Sequence, residues 1–379
     1  MVSCLLTCVK SQSMGSWQQR RQRLFIKNTW YVAAWDKEVT TENLFSRTII
    51  GVPVLMYRKE DGSIVAMEDR CCHRGAPLSV GRREGDCVRC MYHGLKFDAA
   101  GQCVEAPAQK RIPIQAKVKT FPVVQRHRWV WGWMGDPAKA DPDLIPDTQW
   151  LDHPDWRSLD GYIHYDVNYL LICDNLLDFS HLAFVHPTTL GGGDTTYAAV
   201  QPKVDRIDNG VRITRWALDV EPPPFAKAVK DWGGKVDRWN IYNFTLPATL
   251  LMDSGMAPAG TGAPEGNRQG AIEFRGCQAI TPENEDSTHY FFAHPHNFSI
   301  DKPEVTKSIH ESVVQAFDED REIITAQKRS LALDPNFKMV PFGMDAALNQ
   351  FRWVVAKCLE EEGLEAASAQ AATADTVKA

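Results

Sequence analysis

The chain has 379 residues, 44% hydrophobic and 24% charged, ordinary proportions for a globular protein long enough to hold two domains. Its formal net charge of −6 argues against nucleic acid or an anionic membrane as partner, and no apolar run approaches the ~20 residues that cross a bilayer. Ten cysteines in a chain of this length point to a reducing cytoplasm, not a disulfide scaffold.

In chain order, residues 1–23 read as a flexible Gln/Arg-rich leader in which Met14 offers a second start. The weakly apolar residues 1–9 lack the basic leader and cleavage site of a signal peptide. Over 24–150, short β-prone runs at 54–57, 64–67, 103–105 and 129–134 alternate with Asp61-Gly62, Ala100-Gly101 and Gly135-Asp136-Pro137 turn signals. That is the pattern of a small antiparallel domain. The Pro- and Asp-rich stretch 136–147 reads as a linker. Over 151–361, strand-like pieces at 161–165, 211–218, 239–251, 270–279 and 288–292 mix with helix-like pieces at 169–186, 304–330 and 344–361. The tail 362–379, rich in Ala, Thr and Ser without apolar periodicity, is expected to be disordered.

Two loops carry the first chemistry. Cys71-Cys72-His73 and Cys90-Met91-Tyr92-His93 supply two thiolates and two imidazoles, the ligand set of a Rieske [2Fe–2S] centre. Thiolates hold one iron; neutral imidazoles on the other leave the cluster less negative. Zinc takes the same donors, although zinc fingers pair Cys with Cys and His with His. Four unrelated core residues are the bland alternative. Arg74-Gly75-Ala76-Pro77-Leu78 and Gly94 provide the small residues and turns that let backbone N–H groups approach sulfur.

A second constellation spans 174–187. Asp174, Asp178 and His181 share one face of an ideal helix, at i, i+4 and i+7. His186 falls roughly 140° around from His181 at 3.6 residues per turn, but Pro187 disfavours helical conformation at the residue before it. The helix is therefore expected to end near His186, freeing that imidazole to reach the same metal. Two imidazoles and a carboxylate with open positions form the facial triad of non-haem Fe(II) oxygenases. Asp178 is the carboxylate nearest in sequence, and ordinary core or surface histidines are the rival reading.

The two cluster loops resemble those of the Rieske aromatic-ring-hydroxylating and O-demethylating oxygenases, with Leu95 where that family usually has Trp. The resemblance implies an α+β fold. An all-β Rieske domain (24–150) is followed by an α/β catalytic domain (151–361) with an antiparallel sheet of the helix-grip, START-like kind. Segment 174–186 is similar to the family's D/E-x3-D-x2-H-x4-H iron motif. By that likeness Asp178 is not a ligand; it bridges the first iron His and a cluster His of a neighbouring subunit. The third ligand becomes Asp320 within Phe317-Asp318-Glu319-Asp320, with Asp318 and Glu319 as alternatives and a solvated helix face as the bland one. Asn175 lies near the iron by the same likeness, and reads equally well as a structural polar residue.

The implied cofactors are the [2Fe–2S] cluster, mononuclear Fe(II), O2 as cosubstrate, and NAD(P)H acting through a flavin/ferredoxin-type reductase. The implied assembly is a homotrimer. The start Phe25-Ile26-Lys27-Asn28-Thr29-Trp30-Tyr31 is most similar to vanillate O-demethylase-like oxygenases. This implies monooxygenation of a substituted aromatic acid, first by O-demethylation with formaldehyde release. Hydroxylation of an aryl methyl or ring carbon, as with arylsulfonates or phthalates, is the second reading. An electron carrier with an inert second domain is the third. His294 and His296 read first as structural histidines, with a pocket-facing role as the lesser reading, and Arg275 reads equally as a partner for a substrate carboxylate or as a surface arginine. Trp216, Trp232, Trp239, Tyr242 and Phe244 read first as core, with one or two lining an apolar pocket as the lesser reading, and Cys72, Cys87 and Cys103 are expected to be buried free thiols.

Overall fold

In the computed structural model, residues 25–107, 109–190, 200–334 and 336–376 are described; the leader expected at 1–23 lies outside them. The turn residues between 45 and 134 cut the first half into short strands. These are β1 (Trp30–Trp35), β2 (Phe45–Ile49), β3 (Val52–Arg58), β4 (Ile64–Glu68), β5 (Arg82–Glu84) and β6 (Cys87–Arg89). They continue as β7 (Lys96–Phe97), β8 (Cys103–Glu105), β9 (Thr120–Phe121), β10 (Val123–Arg126) and β11 (Trp129–Trp133). They pair as three small sheets, in the orders β1-β11-β10, β2-β3-β4-β9 and β5-β6-β7-β8. The last of these carries the second cluster loop between β6 and β7.

The stretch 136–147 is no free linker. Asp136 and Asp141 each cap a 3₁₀ turn that starts with proline, and Ile145 is buried behind them. Trp30, Trp35, Trp129, Trp131 and Trp133 form one core together with Cys277, Ala279, Phe291 and Ala293 of the second half. Thr281 Oγ1 donates to the Val32 carbonyl across the same boundary at 2.8 Å. The two halves therefore hold each other in place.

The second half is a seven-stranded antiparallel sheet, β12 (Gly161–Tyr165), β13 (Lys203–Ile207), β14 (Gly210–Val220), β15 (Val236–Thr245), β16 (Thr249–Pro258), β17 (Ile272–Pro282) and β18 (Thr288–Ala293). Its order is β12-β18-β17-β16-β15-β14-β13. The strand expected over 239–251 is corrected to two strands of a hairpin, β15 and β16. Pro247 cannot donate to a ladder, so the chain turns there.

Among the described residues, five helices accompany the sheet: α1 (Tyr169–Leu176), α2 (Leu182–Val185), α3 (Pro224–Val229), α4 (Pro303–Leu333) and α5 (Ala346–Thr376). Ile172 and Leu176 of α1, Phe317 of α4 and Phe351 of α5 pack against Tyr242, Phe244, Leu250, Tyr290 and Phe292 on one sheet face. The disorder expected from residue 362 is corrected too. Helix α5 runs through that point, and Glu362 accepts backbone N–H bonds from Lys27 (3.0 Å) and Asn28 (2.7 Å). Alanine and glutamate are strong helix formers, and this anchor outweighs the missing periodicity.

Phe317 ties α4 to the sheet. Its ring stacks on Tyr290 at 5.0 Å and meets Phe292 edge-on at 4.8 Å, and its carbonyl accepts from Tyr165 Oη at 2.8 Å. Phe317→Ala is expected to cost about 3–5 kcal/mol. The check is a lowered urea midpoint at unchanged slope.

Candidate metal centres

The two cluster loops share one backbone device. Cys71 N–H donates to the Ala76 carbonyl (2.8 Å) and Gly75 N–H to the Cys71 carbonyl (2.9 Å). The second loop repeats this with Cys90 to Leu95 (2.8 Å) and Gly94 to Cys90 (2.9 Å). The device needs a left-handed residue at one place, filled by Gly75 (φ +70) and Gly94 (φ +76). Asp69 pins the far end of the first loop, accepting from Ser79 N–H at 2.7 Å and Ser46 Oγ at 2.7 Å.

The outcome is asymmetric. Cys71 and Cys90 are buried, whereas His73 and His93 are exposed with ring centroids 4.6 Å apart. Burial pushes the Cys71 thiol up to about 11, and the neighbouring Cys90 adds to it. Two adjacent buried thiols become good ligands only as thiolates, which a cationic metal cluster offsets. Sulfur inside and imidazole outside fits the two unlike irons of a Rieske centre. Cys72, expected buried, is exposed because it sits at the loop's outer turn; Cys87 is half-buried and Cys103 buried.

At the second constellation, the single helix expected over 169–186 is corrected to two pieces. Helix α1 ends at Leu176, and Asp178 then caps a 3₁₀ turn by accepting from Ser180 N–H (2.9 Å) and Ser180 Oγ (2.7 Å). An aspartate in cap geometry competes with continued helix. The expected shared face of Asp174, Asp178 and His181 is therefore broken, and Asp174 pairs with Arg352.

The break aims both imidazoles. His181 Nδ1 lies 2.6 Å from the Asp178 carbonyl, the only role a proton on that nitrogen can serve, so Nε2 keeps its lone pair. His186 has left the helix (φ −117, ψ 51), as Pro187 requires, and its Nδ1 lies 2.7 Å from Glu319 Oε2. His186 Nε2 is buried without a well-formed hydrogen bond and stands 3.2 Å from Asp320 Oδ1. His181 Nε2 is 3.5 Å from the same oxygen. One ligand atom from each of His181, His186 and Asp320 lies within 4.8 Å of the others. Asn175 Nδ2 donates to Asp320 Oδ1 at 2.9 Å.

Of the three neighbouring acids, Asp320 alone faces the imidazoles' ligand atoms. Asp318 pairs with Arg321, and Glu319 braces His186 from behind, also accepting from Thr189 Oγ1 at 3.0 Å. Phe317 and Asp320 lie at i and i+3 on α4, so the core contact that seats the ring also sets the carboxylate's direction. Burial pushes the His181 imidazole down. For His186 burial pulls the same way, but Asp320 and Glu319 outweigh it and the net direction is up. A buried imidazole between two carboxylates calls for positive charge, which a divalent ion supplies.

Other expectations meet mixed outcomes. His294 is buried beside Phe317 (6.0 Å) and faces the interior, pushed down to about 4 by desolvation. His296 is structural, held by Thr306 Oγ1 (2.9 Å) and the Phe298 carbonyl (2.8 Å). Of the two readings of Arg275, the substrate one gains no support: the guanidinium is spent on Asp253 (2.6 Å) and Glu273 (3.1 Å), on the sheet face opposite the helices. Trp239 and Trp216 share that opposite face, and Trp232 packs beside α3. Tyr242 faces the helices, stacked on Phe179 at 4.7 Å. Sequence reasoning missed Glu319 as a brace and a buried Arg215 on β14. Alternation with Val211, Ile213 and Ala217 was the signal for the latter.

Residues 29–122 match the Rieske [2Fe-2S] domain, and residues 165–361 match the vanillate O-demethylase oxygenase C-terminal domain. The chain is 52% identical over 343 residues to an iron–sulfur subunit of the toluene-4-sulfonate monooxygenase system of Comamonas testosteroni, covering 89% of this chain and 98% of that one. It belongs to the Rieske non-haem iron oxygenases. This Rieske oxygenase is also 34% identical to a vanillate O-demethylase oxygenase subunit of a Pseudomonas species, covering 91% and 98%. A solved dicamba monooxygenase bound to dicamba matches with a TM-score of 0.81 at 33% identity, covering 90% and 99%. The α+β expectation holds, and the cofactors are a Rieske cluster and a mononuclear iron. The reading as a bare electron carrier is set aside by these oxygenase relatives. No helix among the described residues is long and apolar enough to cross a membrane.

Glu319→Gln keeps the size of the brace but weakens its pull on the His186 N–H. Iron affinity is expected to fall about 10- to 100-fold, measured by competition with a chelator on the intact protein.

Proposed function

We propose that this Rieske oxygenase is the terminal component of a monooxygenase for a small aromatic acid. In this reading His181, His186 and Asp320 hold the catalytic iron, and Cys71, His73, Cys90 and His93 hold the cluster. The carrying observation is the buried convergence of two imidazole Nε2 atoms and one carboxylate oxygen beside an apolar sheet face. The metals supply one-electron delivery and O2 activation. The chain's own residues supply placement. Asp178 through its carbonyl, and Glu319 through its carboxylate, set the two tautomers. Asn175 holds Asp320 in position, and the packed sheet excludes water.

The exposed imidazole end of the cluster sits among Val80, Met91 and Tyr92, all exposed, and Phe184 is 71% exposed beside the iron loop. These apolar rims support docking between copies, in a homotrimer where Asp178 bridges the centres. Electrons come from NAD(P)H through a flavin/ferredoxin-type reductase. The cysteines among the described residues are free, which supports a reducing cytoplasm.

Between the two oxidations, 52% identity to the toluene-4-sulfonate relative against 34% to the vanillate relative favours hydroxylation of an aryl methyl group on an anionic ring. O-demethylation is the second reading, favoured by the C-terminal domain match. In either, one C–H, O2, two electrons and two protons give C–OH and water; a hydroxylated methoxy group then releases formaldehyde. The test supplies holoenzyme with reductase, NADH and O2, using toluene-4-sulfonate and vanillate in turn. A benzylic alcohol without formaldehyde is expected from the sulfonate. Formaldehyde equal to NADH consumed with vanillate alone selects the second reading, and no coupled product from any aromatic acid overturns both.

A further inference from the structure

The sheet face beneath the iron site is largely apolar but carries the buried Gln278 and a separate polar belt. Arg215 of β14 stands directly opposite Asn240 of β15, and Asn240 directly opposite Ser254 of β16. All three are buried, Arg215 to 4% exposure. Arg215 alternates with Val211, Ile213 and Ala217, and Asn240 with Tyr242 and Phe244, all within the helix-facing core. The belt therefore lies on the same face as the metal triad. On its iron side it is bounded by the row Ile213, Tyr242 and Met252.

Tyr242 gives the distance scale. It stacks on Phe179, whose ring centroid is 6.4 Å from that of His181. Arg215 lies one belt further along the sheet, two strand residues or about 7 Å. The belt and the iron site thus share one sheet face, with the Tyr242 row between them.

The belt is also chemically one-sided. A guanidinium has five N–H donors and stays charged when buried. Asn240 Nδ2 rests at 3.3 Å on the Met252 thioether, a weak acceptor that an oxyanion displaces readily. Ser254 adds a hydroxyl. Three donor-bearing side chains side by side on neighbouring strands suit a planar or trigonal oxyanion, held by the fork of an arginine.

We propose that Arg215, with Asn240 and Ser254, is the anion anchor that selects aromatic sulfonates or carboxylates for the site on this sheet face. The anchor deepens the function proposed above and rests on it. Sulfonate and carboxylate share the chemistry; the experiment separates them.

The test uses holoenzyme whose cluster absorption and iron content match wild type. Toluene-4-sulfonate and 4-methylbenzoate are each compared with the near-isosteric neutral amide. For Arg215→Met, the ratio of kcat/KM for the anion over its amide is expected to fall about 10- to 150-fold, the range for hydrogen bonds to a charged group. Calorimetric binding of the preferred anion, without reductase, is expected to weaken by a similar factor. Arg215→Lys keeps charge but not the fork, and is expected to retain part of the ratio; it carries the test should the Met variant fail to fold. Equal losses on anion and amide, leaving the ratio unchanged, overturn the anchor while the substrate reading stands. Wild-type enzyme that oxidises no anionic aromatic overturns both.

Discussion

Replacing His181 with alanine is expected to empty the mononuclear site, leave the visible cluster absorption intact and lower product formation by more than about 100-fold. The floor follows from the braces: losing an outer partner of a metal-binding imidazole costs 10- to 100-fold, so losing the imidazole itself costs more. Selectivity follows from where the two centres sit. The cluster loops rest on a core of Leu55, Tyr57, Met67, Leu78 and Phe97, whereas the turn carrying His181 rests on Phe179, Leu182 and the sheet face around Tyr242. No buried side chain belongs to both clusters. His181 is itself half-buried at the edge of its core, so truncation leaves little void. Iron analysis, absorption and product yield on the same sample decide the matter. Undiminished product would place the reacting iron elsewhere.

Cys90→Ala is the converse. It removes one of two adjacent buried sulfurs, and the remaining thiol and two imidazoles cannot hold a two-iron cluster. Acid-labile sulfide is expected to vanish and NADH-coupled turnover with it, while iron at the His181 site persists. The void left is one sulfur atom beside Val88 and Phe97, too small to unfold the sheet of β5 to β8. Sulfide retained at wild-type level would remove Cys90 from the ligand set. Together the two variants dissociate the centres: each loses one metal group, keeps the other, and loses turnover.

The parts of the site that were legible are local. Cysteine and histidine spacing in the two loops, with glycine where the left-handed turn falls, is readable because the loop backbone closes on itself within a few residues. Pro187 announced the release of His186 because its effect acts on one neighbour. The helix break at Leu177 was less legible. Asp178 fits a helix face at i+4 as well as it fits a cap, and periodicity alone does not choose between them. The hairpin at Pro247 was hidden in the same way, since a run of aromatic and β-branched residues continues on both sides of it.

Among long-range partners, only Asp320 was legible, and only through the family resemblance. Glu319 was weighed as a ligand and stands behind His186 instead, because a helix residue's neighbour in sequence faces about 100° away. Arg275 and Arg215 look alike in a list of residues. Their positions on opposite faces of one sheet put the first in a half-buried ion-pair group and bury the second on the helix-facing side.

The amino-acid order alone determined the donor atoms, their grouping on short loops and the two-part architecture, since these depend on spacing and turn chemistry within a few residues. The resemblance pointed to Asp320, but only the folded chain decided how that carboxylate meets the imidazoles, which nitrogen of each ring stays open and which arginine is buried. Those choices are made by packing between segments more than a hundred residues apart, as when Phe317 seats against Tyr290 and turns Asp320 toward His186.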